Sequence, residues 1–438
     1  MLYYARGSRQ GSITPEEARE ALCGVFRALG PKKRVLAIPP DFTRFNSYAG
    51  PLTEMAYDFY GDALTDVMPA LGTHSPMTDG QISAMFGRVP RDRFRVHDWR
   101  NDVVTVGEVP AEYVREVSEG RVDYAWPAQV NKLLLDPSFD LILSIGQVVP
   151  HEVIGMANYT KNIFVGVGGS AGINRSHYLG ATYGMERIMG RAKSPVRDVM
   201  EYARTHFIPQ LPIVYVLTVM AKDAETGGMV MKGLFVGDDF ECFRRAAELS
   251  LETNFIMVDR PLQKCIVWLD PDEFKSTWLG NKAIYRTRMA IADGGELIVL
   301  APGVDKFGED PLCDALIRKY GYRGRLHTLE EFRKPDNSDL RANMGTAAHL
   351  IHGSADGRFT VTYAVKSITQ AEIESVGFRA VSYDEMVKRY DPAALRPGYN
   401  TVPRTDPVTG EPAGGTEEIF FIPNPSLGLW IDRSRLAD

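Results

Sequence analysis

The feature that most restricts how this chain can fold is a repeated alternation of short apolar runs with longer amphipathic stretches. Arg34-Val35-Leu36-Ala37-Ile38, Leu141-Ile142-Leu143-Ser144-Ile145 and the run from Pro212 to Val219 lack the polar alternation of a half-exposed strand. They predict strands buried on both faces. Residues 111–119 and 238–253 have helical spacing. In the second, Phe240, Phe243, Ala246, Ala247, Leu249 and Leu251 supply the apolar positions. A further helix is expected over 52–69. Alternating β and α elements predict an α/β protein: two α/β domains with mainly parallel sheets.

At 438 residues the chain is too long for one average domain. The first domain is expected over 1–262 and the second over 263–404, with a C-terminal strand, 417–438, returning to the first. Within the second, Lys264 to Leu269 reads as a strand, 281–292 as a helix and Glu296 to Leu300 as a strand. Residues 334–340 read as a loop and 391–416, rich in Pro, Gly and Thr, as an irregular connector. Ile419 to Ile422 reads as the last strand, with an apolar run at 427–431.

The formal charge of −6 argues against a general nucleic-acid binder. The four cysteines, Cys23, Cys242, Cys265 and Cys313, form no CxxC pair. Neither a structural zinc site nor a disulfide framework is expected, and Cys265 and Cys313 read as inert core residues. No run approaches the roughly 18–20 apolar residues of a membrane span. The first residues lack the apolar core of a signal peptide. A cytoplasmic protein without membrane contact is the expectation.

Three strand candidates run into polar, chemically capable residues: Pro40-Asp41-Phe42-Thr43-Arg44, then Gly72-Thr73-His74, then Pro150-His151-Glu152 leading to Lys161 and His177. In a parallel sheet such ends lie along one edge, which would bring these residues together. Histidines near neutral pKa ligate metals or move protons, and a lysine among them serves as a cation or an amine nucleophile. Each residue alone has a plainer reading. Asp41 caps a turn, Arg44 is a surface ion-pair partner, His74 is structural, Lys161 is solvated, and His177 sits at a helix start. Gly166, Gly168, Gly169 and Gly172 form no GxGxxG, and neither a P-loop nor a GxSxG elbow is present. His97, among Arg91, Asp92, Arg93, Arg95 and Asp98, reads as solvated surface. His206 reads as a helix-end packing residue. His349 and His352 read as structural residues on one helix face.

Taken together, Asp41-x-Thr43-Arg44, Gly72-Thr73-His74, His151-x9-Lys161 and His177 resemble the nickel-pincer-dependent lactate racemase family in order and in their long spacings. Lys282, ahead of Asp293-Gly294-Gly295, resembles that family's substrate-binding lysine. Ile422-Pro423-Asn424 with Leu427-Gly428-Leu429 resembles its terminal strand. The resemblance implies a cofactor-binding catalytic first domain and a second domain contributing to the substrate site, with the site in the cleft between them. The implied cofactor is a nickel-pincer nucleotide, a pyridinium-3,5-bisthiocarboxylate mononucleotide carrying nickel, attached to Lys161 through a thioamide. It implies His177 as the protein ligand to nickel, and His74 and His151 as the acid/base pair. Arg44 and Lys282 would hold the substrate. Asp41 would orient a catalytic partner or a cofactor hydroxyl, Thr43 beside it would contact the cofactor, and the glycines after Lys161 would let backbone amides approach its phosphate. Cofactor-biosynthesis proteins are the implied partners.

The implied reaction is inversion of C2 in a 2-hydroxy acid by reversible hydride transfer. That is easier than removing the proton, because the C–H is a weak acid and the hydroxyl proton can leave as the carbonyl forms. The chain departs from the lactate enzyme at Ser75, which replaces an arginine, and at Asn158-Tyr159-Thr160, which replaces Gly-Gly-Arg. It also lacks a tryptophan near Met344-Gly345-Thr346. A larger or more polar substrate follows, for example an aldonate such as gluconate; malate-like and aryl hydroxy acids stay open. Two other classes compete: a metal-dependent hydrolase or lyase using the same histidines, and a non-catalytic nucleotide-binding homologue. Holoenzyme is expected to invert longer hydroxy acids faster than lactate in a chiral-product assay. The reverse ranking would sink the pocket argument.

Overall fold

A computed structural model describes residues 1–223, 228–405 and 412–436. The chain divides into two compact units, Met1–Asn254 and Phe255–Asp438. The first carries strands β1 (Leu2–Gly7), β2 (Val35–Ile38), β3 (Leu64–Val67), β4 (Leu141–Gln147), β5 (Ile213–Lys222) and β6 (Met229–Gly237). They form one six-stranded sheet in the order β1-β6-β5-β4-β2-β3. The four strands β5, β4, β2 and β3 are parallel, and β6 and β1 close the other edge antiparallel. Every residue of β2 is buried, as its unbroken apolar sequence requires.

Helices α1 (Pro15–Leu29), α2 (Ala49–Tyr60) and α3 (Asp79–Phe86) supply apolar residues to one large core. Leu22, Phe26, Leu52, Met55, Ile82 and Phe86 pack there with Val35, Ala37, Leu143 and Val216 from the sheet. Thr14 and Glu17 form a capping box that starts α1. On β5, α6 (Phe240–Asn254) buries Phe243, Ala246 and Leu249.

The helix expected over 52–69 is instead α2 followed by β3. Gly61 sits at φ 54°, where glycine is at ease, and ends the helix. Leu64 and Val67 then enter the core as a strand parallel to β2. Four residues are too few for periodicity to separate strand from helix.

In the second unit the main sheet runs in the order Arg379–Ser382, Thr360–Val365, Ile291–Ala301, Leu262–Trp268, Pro412–Ile422, Gly398–Thr405. All pairings are parallel except the last. Ile266, Ile298, Leu300, Ala364, Ile419 and Phe421 form its core cluster with buried Tyr390. The C-terminal strands pair within the unit Phe255–Asp438, one of them with a strand inside the expected 1–262. Pro412–Ile422 pairs with Leu262–Trp268, and Leu429–Asp432 pairs with Phe255–Val258. That second pairing also moves the unit boundary from the expected 262 to 254.

The helix expected over 281–292 is confined to Lys282–Thr287, because Ile291 already pairs as strand. Ser338–Ala342 is a helical turn inside the expected 334–340 loop. The connector expected over 391–416 contains the strand Gly398–Thr405 and the start of Pro412–Ile422, while 406–411 lies outside the described residues. Among the described residues no helix is long and apolar enough to cross a membrane.

Gly50 marks the tightest contact between α2 and α3. A Cβ there would lie 1.8 Å from the carbonyl oxygen of Met85. Backbone cannot retreat as a side chain can, so Gly50→Ala is expected to destabilise the first unit by about 1–3 kcal/mol. Thermal unfolding at or above the wild-type temperature would contradict this packing.

Candidate active site at the C-terminal ends of three parallel strands

Strand β2 lies between β4 and β3, all parallel, so the segments leaving Ile38, Val67 and Gln147 emerge side by side. The chain passes from β2 to β3 on one side and later returns to β4 on the other. This reversal opens the crevice in which doubly wound sheets bind ligands. Polar cross-links fix the loops there. Asn162 Nδ2 donates to the Ile38 carbonyl and to Ser144 Oγ, each at 3.0 Å, and Gly72 N–H donates to the Gly166 carbonyl at 2.8 Å.

Asp41 precedes the short helical turn Phe42–Ser47 but makes no side-chain cap bond there. Its buried carboxylate accepts from His74 Nδ1 at 2.7 Å and from Thr43 Oγ1 at 2.5 Å. Burial alone would raise its pKa, but the bonds from His74 and Thr43 prevail and hold it below the usual carboxylate range. A carboxylate can only accept, so His74 carries its proton on Nδ1. Its Nε2 lone pair is left available on a ring that is 58% exposed.

His151 sits in a tight hairpin between Pro150–His151 and Gly155–Met156. Its Nδ1 accepts the Val153 backbone N–H at 3.1 Å, so the neutral ring carries its proton on Nε2. The two histidines therefore present opposite faces: His74 an acceptor, His151 a donor. Burial, reinforced by the positive charges of Lys161 and Arg44, holds His151 well below the usual histidine pKa, with Glu152 opposing.

Lys161 is half-buried at the start of a five-residue π-helical turn, Asn162–Gly166. Burial, then repulsion by Arg44, pushes its amine down to about 8. His177 lies within the helix α4 (Ser170–Tyr183), not at a helix start as expected. Its Nδ1 donates to the Ile173 carbonyl at 2.7 Å, which leaves the Nε2 lone pair available. Burial lowers its pKa too, and the charges of Lys161 and Glu152 both reach it.

The first unit thus assembles Asp41, Thr43, Arg44, His74, His151, Lys161 and His177 from segments far apart in sequence. Lys282 belongs to the second unit. There its Nζ lies 3.3 Å from Ser426 Oγ, 3.8 Å from Glu273 and 5.5 Å over the Phe274 ring.

Two readings are corrected. His97 is buried, not solvated. It accepts from Asn131 Nδ2 at 2.9 Å and donates through Nε2 to the Gly168 carbonyl at 3.0 Å, bracing the glycine loop. The glycines themselves answer packing demands: a Cβ on Gly168 would lie 1.9 Å from the Phe164 carbonyl oxygen. Within the glycine-rich stretch expected to turn backbone amides toward a phosphate, the amides of Ala171 and Gly172 both donate to Gln129 Oε1. His349 does behave as a structural residue, stacked on Trp278 and bonded to Tyr322. Sequence reasoning missed the charge of Glu152, which acts on His151, Lys161 and His177; adjacency to His151 was its only signal.

A doubly wound unit with two histidines, a lysine and a third histidine at its switch point has the layout of a ligand-binding α/β protein. Residues 25–188 match the family model of the lactate racemase N-terminal domain. That segment holds every first-unit residue of the site, so the resemblance to a lactate racemase-like family rests on this part of the chain. Two solved structures share the fold. A Thermotoga maritima protein is 24% identical at TM-score 0.73, covering 86% of this chain and 94% of that one. The lactate racemase apoprotein of Thermoanaerobacterium thermosaccharolyticum is 16% identical at TM-score 0.66, covering 96% and 93%. No curated protein sequence matches.

The desolvated amine has a consequence for stability. Its folded pKa of about 8 lies below the ordinary 10.5, so the unfolded chain holds the proton more tightly. The charged amine therefore costs stability below pH 8, on the order of 3 kcal/mol, and the cost fades as pH rises from 8 to 10.5. Lys161→Met is expected to melt higher than wild type at pH 7, with the gain vanishing near pH 10–11. A gain independent of pH would refute the desolvated charge as its source.

Proposed function

We propose that this chain is a racemase or epimerase that inverts C2 of a 2-hydroxy acid, working with a nickel-pincer nucleotide. The observation that carries the reading is the pair of oppositely poised histidines, His74 and His151, around Lys161. The match of residues 25–188 to the lactate racemase N-terminal domain model supports an isomerase; the substrate and the cofactor are our assignment.

The residues present fit the cofactor. Among the described residues no three His, Cys, Asp or Glu side chains gather as a metal-binding group. His177 is suited to serve as a single protein ligand: its Nδ1–H is fixed by the Ile173 carbonyl and its Nε2 is available. Lys161, with its amine at about 8, is largely a nucleophile in mildly alkaline conditions and is the assigned attachment point. When bound, the nickel-pincer nucleotide supplies a reversible hydride acceptor for C2.

The chain's own residues handle the rest. For one enantiomer, His74 Nε2 takes the hydroxyl proton, and Asp41 stabilises the resulting imidazolium through the bond it already makes. His151 donates a hydrogen bond from Nε2–H to the substrate oxygen and stays neutral, and His74 returns its proton to that oxygen as the hydroxyl re-forms. The other enantiomer follows the same proton path. Arg44, whose charge reaches both His151 and Lys161, holds the substrate carboxylate. Lys282 is assigned a second carboxylate contact from the resemblance alone. Loading would require cofactor-biosynthesis proteins, and a cytoplasmic setting suits that supply.

The decisive experiment is the intact mass and nickel content of protein from a host that makes the pincer nucleotide. A nucleotide-sized adduct with near-stoichiometric nickel is expected on wild type. The adduct should be absent from Lys161→Ala, and nickel should fall in His177→Ala. Unmodified wild type from a host that loads a control racemase would refute the cofactor assignment. In D₂O the substrate should invert without deuterium entering C2; rapid incorporation would indicate carbanion chemistry instead. His74→Ala and His151→Ala are each expected to lose about 10²-fold or more in turnover while keeping the adduct.

A further inference from the structure

Arg197 is among the largest fully buried side chains and takes no part in the chemistry above. It lies in the first turn of helix α5 (Pro195–Phe207). Among the described residues its guanidinium pairs with no carboxylate. The nearby Glu201 is engaged by Arg204 at 2.6 Å and by the Tyr159 hydroxyl at 3.2 Å. Arg197 instead gathers the oxygens of one short loop. Nη2 donates to the Met156 carbonyl at 2.6 Å, and Nη1 donates to the Asn158 carbonyl at 3.1 Å and to Thr160 Oγ1 at 2.7 Å. Burying a cation is costly unless oxygens surround it, so a site that keeps one depends on what it holds.

What it holds is the approach to Lys161. Asn158 and Tyr159 are consecutive non-glycine residues in the left-handed region, at φ 67° and 59°. Asparagine tolerates this; tyrosine rarely adopts it without support from surrounding structure. The support is visible. The Tyr159 ring is fully buried, stacked on Phe243 at 5.1 Å and tilted against Tyr215 at 4.3 Å. The Arg197 guanidinium lies 4.3 Å over the same Phe243 ring. Ser194, the N-cap of α5, adds a bond to the Ile154 carbonyl at 2.9 Å. The first turn of α5 therefore braces the whole segment 154–160, and its cation acts directly on the Lys161 amine.

We propose that Arg197 is the positioning residue for Lys161: by clamping the left-handed Asn158-Tyr159 turn it delivers the lysine amine into the site. The proposal rests on the reading of Lys161 as the attachment point, but its test does not need the cofactor.

The test uses the unloaded full-length chain. Competitive amine labelling across pH, read by peptide mass spectrometry, gives the titration midpoint of Lys161. Hydrogen exchange over 156–162 gives the stability of the turn. In Arg197→Met the midpoint is expected to rise toward ordinary lysine, and exchange in 156–162 to speed about tenfold or more while β2 and β4 keep wild-type protection. Arg197→Lys keeps the charge and loses the planar fork. It should speed the same exchange while leaving the midpoint nearer wild type, and it decides the matter if the methionine variant does not fold. Wild-type exchange over 156–162 in either folded variant would overturn the proposal, as would an unmoved Lys161 midpoint in folded Arg197→Met. A wild-type protein lacking any Lys161 adduct would instead remove the cofactor reading and leave this coupling standing.

Discussion

The first unit depends on the parallel pairing of β2 with β4 on one side and β3 on the other. Parallel strands place their carboxyl ends on one edge, and the reversal in winding opens a crevice there. All seven site residues of this unit follow from that arrangement. Asp41, Thr43 and Arg44 leave β2, His74 follows β3, and His151, Lys161 and His177 follow β4. A slip of one residue in β2 would exchange its two buried faces, and both are packed.

Electrostatics then differentiates residues that look alike in sequence. His74 and His151 are both imidazoles, yet one faces a carboxylate and the other a backbone N–H. Those partners alone decide which ring atom keeps the proton. Lys161 and Arg197 are cations in one neighbourhood, and the charge of Arg197 adds to the desolvation that lowers the pKa of Lys161. The lysine can lose its proton and become a nucleophile. The guanidinium remains a cation, and the loop oxygens around it stand in for water.

Much of this was legible in the chain. The apolar runs at 34–38, 141–145 and 212–219 have no other stable place than a two-sided core, and the polar residues after the first two had to gather on one edge. Strand β3 was not legible, because Leu64-Thr65-Asp66-Val67 is too short and too mixed for its period to show. Gly398–Thr405 was hidden by turn-forming residues that an edge strand tolerates. His97 was misread because its neighbours in sequence are charged while its partners, Asn131 and Gly168, come from elsewhere.

The sequence by itself determined the fold class and the parallel core of the first unit, since each follows from local composition and spacing. Tertiary structure alone decided the desolvation of Lys161, the two histidine tautomers, the fixed ring of His177 and the clamp of Arg197 on the turn at Asn158. The physical reason is the same in each case. Desolvation and hydrogen-bond partnership are set by groups brought close in space, and the Arg197 contact spans 39 residues that no local pattern connects.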